Sequence, residues 1–192
     1  KKGSDYLTLG WDKVTSATAY GIYVTNLSTG KYQLYATTSA NTYTISDIPP
    51  GKPYTICVRA YATLEGKNYF GGLSNVVTAA VAPSAVQNLT FDHTGAKENT
   101  VALSWTKQSY VTGYQVYRYD SAEKKYVYVT TSATNSVTAQ LESGTDYIFR
   151  VRAFTRVGGV NYYGSFSSAC QAFTRSSAPE NISLKSNTAS SV

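Results

Sequence analysis

The residue types that usually carry chemistry are sparse in this chain of 192 residues, which has one histidine and two cysteines. The histidine, His93, lies in a turn-like stretch, 92–95. A metal site or a catalytic triad needs partner residues, and the chain offers no second imidazole. The eleven acidic residues are scattered, and none stands in the pattern of a calcium loop. We therefore expect His93 to be an ordinary loop residue, and we expect no metal, no cofactor and no enzyme.

The two cysteines are expected to be independent free thiols. Cys57 stands between Ile56 and Val58 in a strand-like segment, and the alternation predicts that it points outward. Cys170 aligns with Val77 in an internal repeat and is expected to point into a core. Because the two thiols then belong to different domains and different faces, we expect no bridge between them, and we expect Cys57 to be the more reactive.

Two glycine pairs, Gly71–Gly72 and Gly158–Gly159, do not form a phosphate-binding pattern such as G-x-G-x-x-G. Adjacent glycines between strand-like segments are typical of tight hairpins. We therefore predict a hairpin turn at each pair.

Tyrosine is abundant, with 18 residues beside 6 Phe and 2 Trp. In two strand-like segments of the second half, alternation places Tyr117, Tyr119, Arg150 and Arg152 on one outward face. Such rings and guanidinium groups can stack on sugar rings or pair with a partner protein, and these four are our candidate binding residues. The alternative is cross-strand Tyr–Arg packing that only stabilises the sheet. The sequence leaves both interpretations open.

The net charge of +6 is spread along the chain rather than concentrated in one arm. Residues 1–82 carry 7 basic and 4 acidic residues, and 83–176 carry 9 and 6, an excess of +3 in each. Nucleic-acid binders usually concentrate basic residues on one face, so nucleic acid is not an expected partner. No apolar run approaches the roughly 20 residues that span a bilayer, so membrane insertion is not expected.

An internal repeat dominates the sequence. Segment 7–13 matches 101–107 at an offset of 94, and segment 54–61 matches 147–154 at an offset of 93. Each copy consists of short runs rich in Val, Ile, Thr and Tyr that alternate with period two, which predicts an all-β chain. In the second copy the predicted strands are 86–91, 99–106, 112–119, 125–131, 134–140, 146–155 and 166–174. Seven strands per copy indicate a two-sheet sandwich.

These features resemble the fibronectin type III family. Each copy has a Trp on its second strand and a Tyr-x-Val or Tyr-x-Ile on its third, and the segments 48–60 and 141–153 resemble the family signature. The resemblance implies two consecutive β-sandwiches of immunoglobulin-like type. The later part of each copy, 60–74 and 153–167, resembles versions found in secreted and surface proteins of Gram-positive bacteria.

The alternation also predicts the two cores, whose residues are expected to face each other from opposing sheets. In the first copy these are Tyr54, Ile56, Val58 and Ala60 against Leu7, Leu9 and Trp11; in the second they are Tyr147, Phe149, Val151 and Ala153 against Val101, Leu103 and Trp105. Both Trp side chains are expected to be nearly buried. Tyr54 and Tyr147 stand where a tyrosine corner of the family would return its hydroxyl to nearby backbone.

The repeat divides the chain into a first copy at 1–82, a second copy at 83–177 and a tail at 178–192. Because the chain opens at Lys1 without Met, we expect a piece of a larger protein whose first copy lacks its first strand. The tail is predicted to be the first strand of a third domain. An unpaired edge is a template for another strand, so we expect Ile182 and Leu184 to dock head-to-tail on the first copy of a neighbouring molecule.

The short proline-bearing connection 80–85 limits how far the copies can swing. The sequence therefore predicts a non-catalytic spacer and interaction module of a larger extracellular protein, secreted or attached to the cell wall. Its partners would be the neighbouring domains of that protein. The alternative is an adhesion or carbohydrate-binding module that takes a polysaccharide or a surface protein on the Tyr/Arg face.

Overall fold

The computed structural model describes residues 5–26 and 29–185, and all regular secondary structure there is β-strand. The first copy contains seven strands: β1 (Leu7–Gly10), β2 (Ala19–Thr25), β3 (Tyr32–Thr38), β4 (Thr42–Ile45), β5 (Pro53–Leu64), β6 (Lys67–Leu73) and β7 (Val77–Ala80). The second copy contains eight: β8 (Thr90–Phe91), β9 (Thr100–Ser104), β10 (Gly113–Asp120), β11 (Lys125–Ser132), β12 (Ser136–Gln140), β13 (Asp146–Val157), β14 (Val160–Tyr163) and β15 (Cys170–Phe173).

Every strand pair is antiparallel. In the first copy, β1 pairs with β4, and the larger sheet has the order β3-β2-β5-β6, with β7 also on β5. In the second copy, the sheets have the order β12-β9-β8 and β11-β10-β13-β14, with β15 also on β13. The predicted fold class, an all-β chain of fibronectin type III sandwiches, is confirmed.

The core of the second copy follows the predicted alternation closely. All seven predicted positions are buried: Val101, Leu103, Trp105, Tyr147, Phe149, Val151 and Ala153. In the first copy only Ile56 of the seven is fully buried, and the other six are half-buried. Trp11 is one of these, so the prediction that both Trp side chains are nearly buried is wrong for Trp11 and correct for Trp105, which is 3% exposed.

The strand boundaries differ from the predictions in several places. The segment 86–91 pairs as a strand only at Thr90–Phe91, and 166–174 only at Cys170–Phe173. The long strands β5 and β13 each continue through a tight turn into an additional strand. At Gly158–Gly159 this turn falls on the predicted pair, with φ of 56° and 81°. In the first copy it falls on Glu65–Gly66 instead, so the predicted turn at Gly71–Gly72, which lies inside β6, is wrong.

Cys57 corresponds to Arg150 on the outer face and is not part of the core cluster of the first copy, but it is only 2% exposed, so the prediction of a reactive, accessible thiol is wrong. Its cross-strand neighbour is Tyr23, and a short thiol is readily covered by a large ring directly opposite. Cys170 is half-buried and packs against the core of the second copy. Both are free thiols, and burial raises the pKa of each.

The described part of the tail, up to residue 185, contains no paired strand, and its two apolar side chains face solvent. Ile182 is 90% exposed and Leu184 is 80% exposed. Their docking on a neighbouring molecule and the domain boundaries stay predictions; residues 1–4 and 186–192, which those predictions include, lie outside the described residues. None of the described segments forms a helix of the length and apolarity that crossing a membrane requires.

Candidate functional site

The four candidate residues lie on the outer face of the larger sheet of the second copy. Tyr117 pairs directly with Arg150, and Gln115 pairs with Arg152, on the neighbouring strands β10 and β13. Tyr119 follows Tyr117 by two residues and therefore shares its face. The strand register thus brings the candidate residues together, and side chains one row apart are within reach of long groups.

Arg152 is held entirely by its own domain. Its Nε and Nη2 donate hydrogen bonds to Gln115 Oε1 at 3.0 and 2.9 Å, and Nη2 also donates to the Tyr117 hydroxyl at 2.8 Å. The guanidinium carbon lies 4.1 Å from the ring centroid of Tyr163 and 5.2 Å from those of Tyr117 and Phe166. We call these five residues the Arg152 cluster. With donors and ring faces engaged internally, the cluster favours the structural interpretation.

Arg150 and Tyr119 belong to a more open group. The Arg150 guanidinium lies 4.9 Å from the centroid of the Tyr126 ring, and Tyr126 contacts Tyr119 edge to face at 5.4 Å. Arg150 Nε is buried without a hydrogen-bond partner. Tyr119 and the neighbouring Tyr128 are 37% and 54% exposed. We call these four residues the open aromatic edge, and they are the part of the face with surface left for a ligand.

Sequence reasoning missed Tyr163 and Phe166, the rings that enclose Arg152. Tyr163 ends β14, and Phe166 lies in the segment that follows it. Both lie beyond the two strands from which the face was predicted, so alternation within those strands carried no signal for them. The hairpin predicted at Gly158–Gly159 carried one, because pairing the segment after it with β13 places Tyr163 opposite Phe154, two residues from Arg152.

The first copy has only part of this arrangement. Arg59, the counterpart of Arg152, donates from Nε to the Gly71 carbonyl at 2.6 Å and lies 4.9 Å from the Phe70 ring centroid. The counterparts of Arg150 and Tyr119 are Cys57 and Thr25. The open aromatic edge is therefore a property of the second copy and not of the repeat.

His93 lies in an exposed loop, where the sequence predicted it. Its ring contacts Phe91 at 4.8 Å and Phe173 at 6.2 Å between centroids. The preceding Asp92 accepts hydrogen bonds from the Thr94 hydroxyl and the Gly95 amide, which lower the pKa of its carboxyl group. Across the described ranges, no three His, Cys, Asp or Glu residues cluster in a way that could hold a metal ion.

The backbone that connects the two copies is packed and hydrogen-bonded. Pro83 and Val86 are buried. The Gln108 side-chain amide donates to the carbonyls of Ser84 and Ala85 at 3.0 and 3.1 Å. The backbone between the two copies is thus fixed by a side chain of the second, a contact that the Pro in the connection did not predict.

Two loops also meet across this junction. A Cβ atom added to Gly51 would lie 3.1 Å from Thr155 Oγ1 and 3.2 Å from the Tyr110 carbonyl oxygen. A Cβ atom added to Gly158 would lie 2.6 Å from Thr78 Oγ1. Both glycines have positive φ, 79° and 56°, a conformation that favours glycine. The hairpin turn of the second copy therefore lies against the last strand of the first, closer than a larger side chain would allow.

Comparison with known proteins agrees with this fold. Residues 84–165 match the family model for the fibronectin type III domain. The chain is 30% identical over 132 residues to Ephrin type-A receptor 7 of Gallus gallus, a match that covers 64% of this chain and 13% of that protein. The chain thus spans a small part of the length of this relative. A two fibronectin type-III domain segment from chicken tenascin superposes with a TM-score of 0.51 at 16% identity, covering 91% of this chain and 95% of that one.

Proposed function

From the fibronectin type III domain at residues 84–165, we propose that this chain is a non-catalytic spacer and interaction module of a larger secreted or cell-surface bacterial protein. Its two copies would hold the flanking parts of that protein at a set separation and orientation. The bacterial, wall-attached setting is supported by the resemblance of segments 60–74 and 153–167 to domains of Gram-positive surface proteins.

The junction is the observation that carries this proposal. A spacer transmits distance and direction only if its units do not swing independently, and a flexible linker would not meet that need. Here Gln108 binds the connecting backbone, and Gly158 lies against Thr78 of the first copy. The Gln108 bonds hold the connecting backbone against the second copy, and the close approaches of Gly158 to Thr78 and of Gly51 to Tyr110 bring the two copies into contact.

A disulfide across the junction tests the proposal. A Cβ atom on Gly158 would lie 3.8 Å from the Thr78 Cβ, and disulfides have Cβ atoms about 3.8 Å apart. In a chain with Cys57→Ala and Cys170→Ala, we expect the pair Thr78→Cys and Gly158→Cys to oxidise to an intramolecular bridge. The solution X-ray scattering curve should be the same with the bridge closed or reduced, because the bridge fixes an arrangement that already exists.

The matched control is Gly159→Cys in place of Gly158→Cys. Gly159 lies in the same turn and also has positive φ, but nothing lies within 4 Å of an added Cβ. We expect no bridge from this position. Failure of the Gly158 pair to oxidise, or a marked change of scattering on closing the bridge, would contradict the fixed junction and with it the spacer.

The open aromatic edge favours a second candidate function, adhesion or carbohydrate binding. Its two exposed rings are Tyr119, which contacts Tyr126 on the Arg150 guanidinium, and Tyr128, which contacts Tyr117. The test is retention on insoluble polysaccharides and titration with soluble ones. Saturable binding lost in Tyr119→Ala and Tyr128→Ala, but kept in Tyr69→Ala, an exposed ring of the first copy, would support it.

The Tyr117→Ala variant is a poorer probe of that candidate, because Tyr117 belongs to the Arg152 cluster and its loss disturbs the sheet. Absence of saturable retention for the unmodified chain, over the neutral and acidic polysaccharides tried, would remove the carbohydrate candidate and leave the spacer unaffected.

A further inference from the structure

We propose that the exposed end of the second copy, around Gly144 and Gln171, is a docking surface for another domain of the same kind. The inference rests on the proposed spacer function and extends it. The junction between the first and second copies would be repeated between the second copy and the docked domain. The occupant would present the hairpin turn that corresponds to Gly158–Gly159, as the second copy does to the first.

The end of the second copy corresponds in sequence to the end of the first copy that lies at the junction. Gly51 and Thr78 of the first copy face the second copy across the junction. Their counterparts, 93 residues later, are Gly144 and Gln171. Gly144 repeats the positive φ of Gly51, at 62° against 79°. Gly144 and Gln171 are both exposed, and the neighbour of Gly144 is Ser176 of its own copy, where Gly51 of the first copy meets Tyr110 and Thr155 of the next copy.

The tail repeats the start of the second copy. Asn181 has a φ of 56°, close to the 54° of Asn88, which lies 93 residues earlier. Positive φ is uncommon outside glycine, so its recurrence at matching positions marks the same local structure. In this register Ile182 and Leu184 correspond to Leu89 and Phe91, which pack in the core of the second copy. The tail thus has the backbone and the apolar residues with which a domain of this kind begins.

The surface at this end of the second copy is recessed and carries exposed aromatic rings. A recess of about 620 Å³ opens at this end of the second copy, and its walls include the exposed rings of Tyr119 and Phe173. Phe173 is 40% exposed, whereas its counterpart Ala80, at the occupied end of the first copy, is 3% exposed. An apolar surface with ring contacts left open is typical of an interaction site.

The charged side chains at the two ends of the second copy are compatible with a docked domain of the same kind. Glu142 and Asp146 are exposed at the end of the second copy, where the first copy has Pro49 and Pro53. At the opposite end of the second copy, Arg156 is exposed beside the hairpin turn. Arg175, whose carbonyl accepts a hydrogen bond from the Gly144 amide, is exposed at the same end, so the complementarity is local. A domain resembling the second copy would bring its Arg156 towards Glu142 or Asp146, and such a pairing favours the docked orientation.

The experiment extends the chain in register by repeating residues 88–177 after Glu180, so that Asn88 of the added copy takes the place of Asn181. The natural thiols are replaced in every copy. Gln171→Cys in the second copy is combined with cysteine at the added copy's position corresponding to Gly158. We expect an intramolecular disulfide, and none from the control position corresponding to Gly159.

The outcomes separate this inference from the spacer. If the Thr78–Gly158 pair of the natural chain oxidises but the Gln171 pair does not, the inference is wrong and the spacer stands. If neither pair oxidises, both are wrong. The natural chain supplies a further check by sedimentation: self-association abolished by Ile182→Ser with Leu184→Ser would show that the tail docks on another molecule, which would also overturn the inference.

Discussion

The two copies share their strand spacing but not the quality of their cores. In the second copy, the Tyr147 hydroxyl accepts a hydrogen bond from the Glu142 amide at 3.0 Å, which forms the predicted tyrosine corner. In the first copy, the residue at that position is Pro49, which has no amide hydrogen to donate. Tyr54 is half-buried and lies under Lys52 Nζ, 5.2 Å from its ring centroid. A repeat can thus keep the positions of its rings while losing the polar contacts that hold them.

The same contrast recurs at the last strand of each copy. Thr174 is buried and donates to the Glu142 carbonyl at 2.6 Å, while its counterpart Val81 is apolar. The second copy therefore closes its crossover with side-chain hydrogen bonds, and the first closes it with apolar packing and the Gly51–Val81 backbone bond. We expect the first copy to be the less stable of the two.

Removal of the tryptophans should give the largest difference between the copies. Trp105→Ala should lower the free energy of unfolding of the second copy by about 3–5 kcal/mol, the range for buried aromatic rings. Trp11→Ala should cost the first copy about half as much, because Trp11 is only half-buried. Urea unfolding followed by resolved NMR signals of each copy measures both, and equal losses would contradict the difference in burial.

Replacement of the outer-face arginines should come next. Arg152→Lys should destabilise the second copy by about 1–2 kcal/mol, since an ammonium cannot reproduce the fork to Gln115 and the stacking on three rings. Arg59→Lys should cost the first copy less, because Arg59 makes one hydrogen bond and one ring contact. A larger loss from Arg59→Lys, measured in the same unfolding experiment, would reverse the assignment of the structural role to Arg152.

The two corner tyrosines provide a test of one hydroxyl group. Tyr147→Phe should cost about 1 kcal/mol, because the Glu142 amide loses its acceptor. Tyr54→Phe should change stability by less than about 0.5 kcal/mol, as is usual where no specific contact is lost. Thermal unfolding of the two variants against the unmodified chain suffices, and a substantial loss from Tyr54→Phe would show that its hydroxyl has a partner.

The smallest perturbation is thiol labelling of the unmodified chain. Cys170 should react several times faster than Cys57, because Cys57 is 2% exposed whereas Cys170 is only half-buried. Burial raises both pKa values, so the thiolate fraction and the rate should still increase with pH above the ordinary thiol range. Mass spectrometry of partially labelled chain identifies the faster site, and faster labelling of Cys57 would contradict its burial.

The cores and the shared face were predictable, because both follow from alternation within single strands and from the register of neighbouring ones. Val151 and Arg152 are adjacent in sequence and fall on opposite faces, as period two requires. The burial of Cys57 was not predictable in this way, since alternation gives the face of a residue and not what its cross-strand neighbours, here Tyr23, cover. The junction was beyond prediction for a related reason: Gly51 and Tyr110 approach through the packing of two loops that belong to different copies.

The junction also has a consequence for the order of synthesis. Gly51 meets Tyr110, which is added 59 residues later, so at about 5–20 residues per second the contact can form only some 3–12 seconds afterwards. During that interval the loop of the first copy relies on contacts within that copy, such as the Gly51–Val81 backbone hydrogen bond. The copy that we expect to be the less stable is thus made first, and it gains its partner only when the ribosome has delivered the second one.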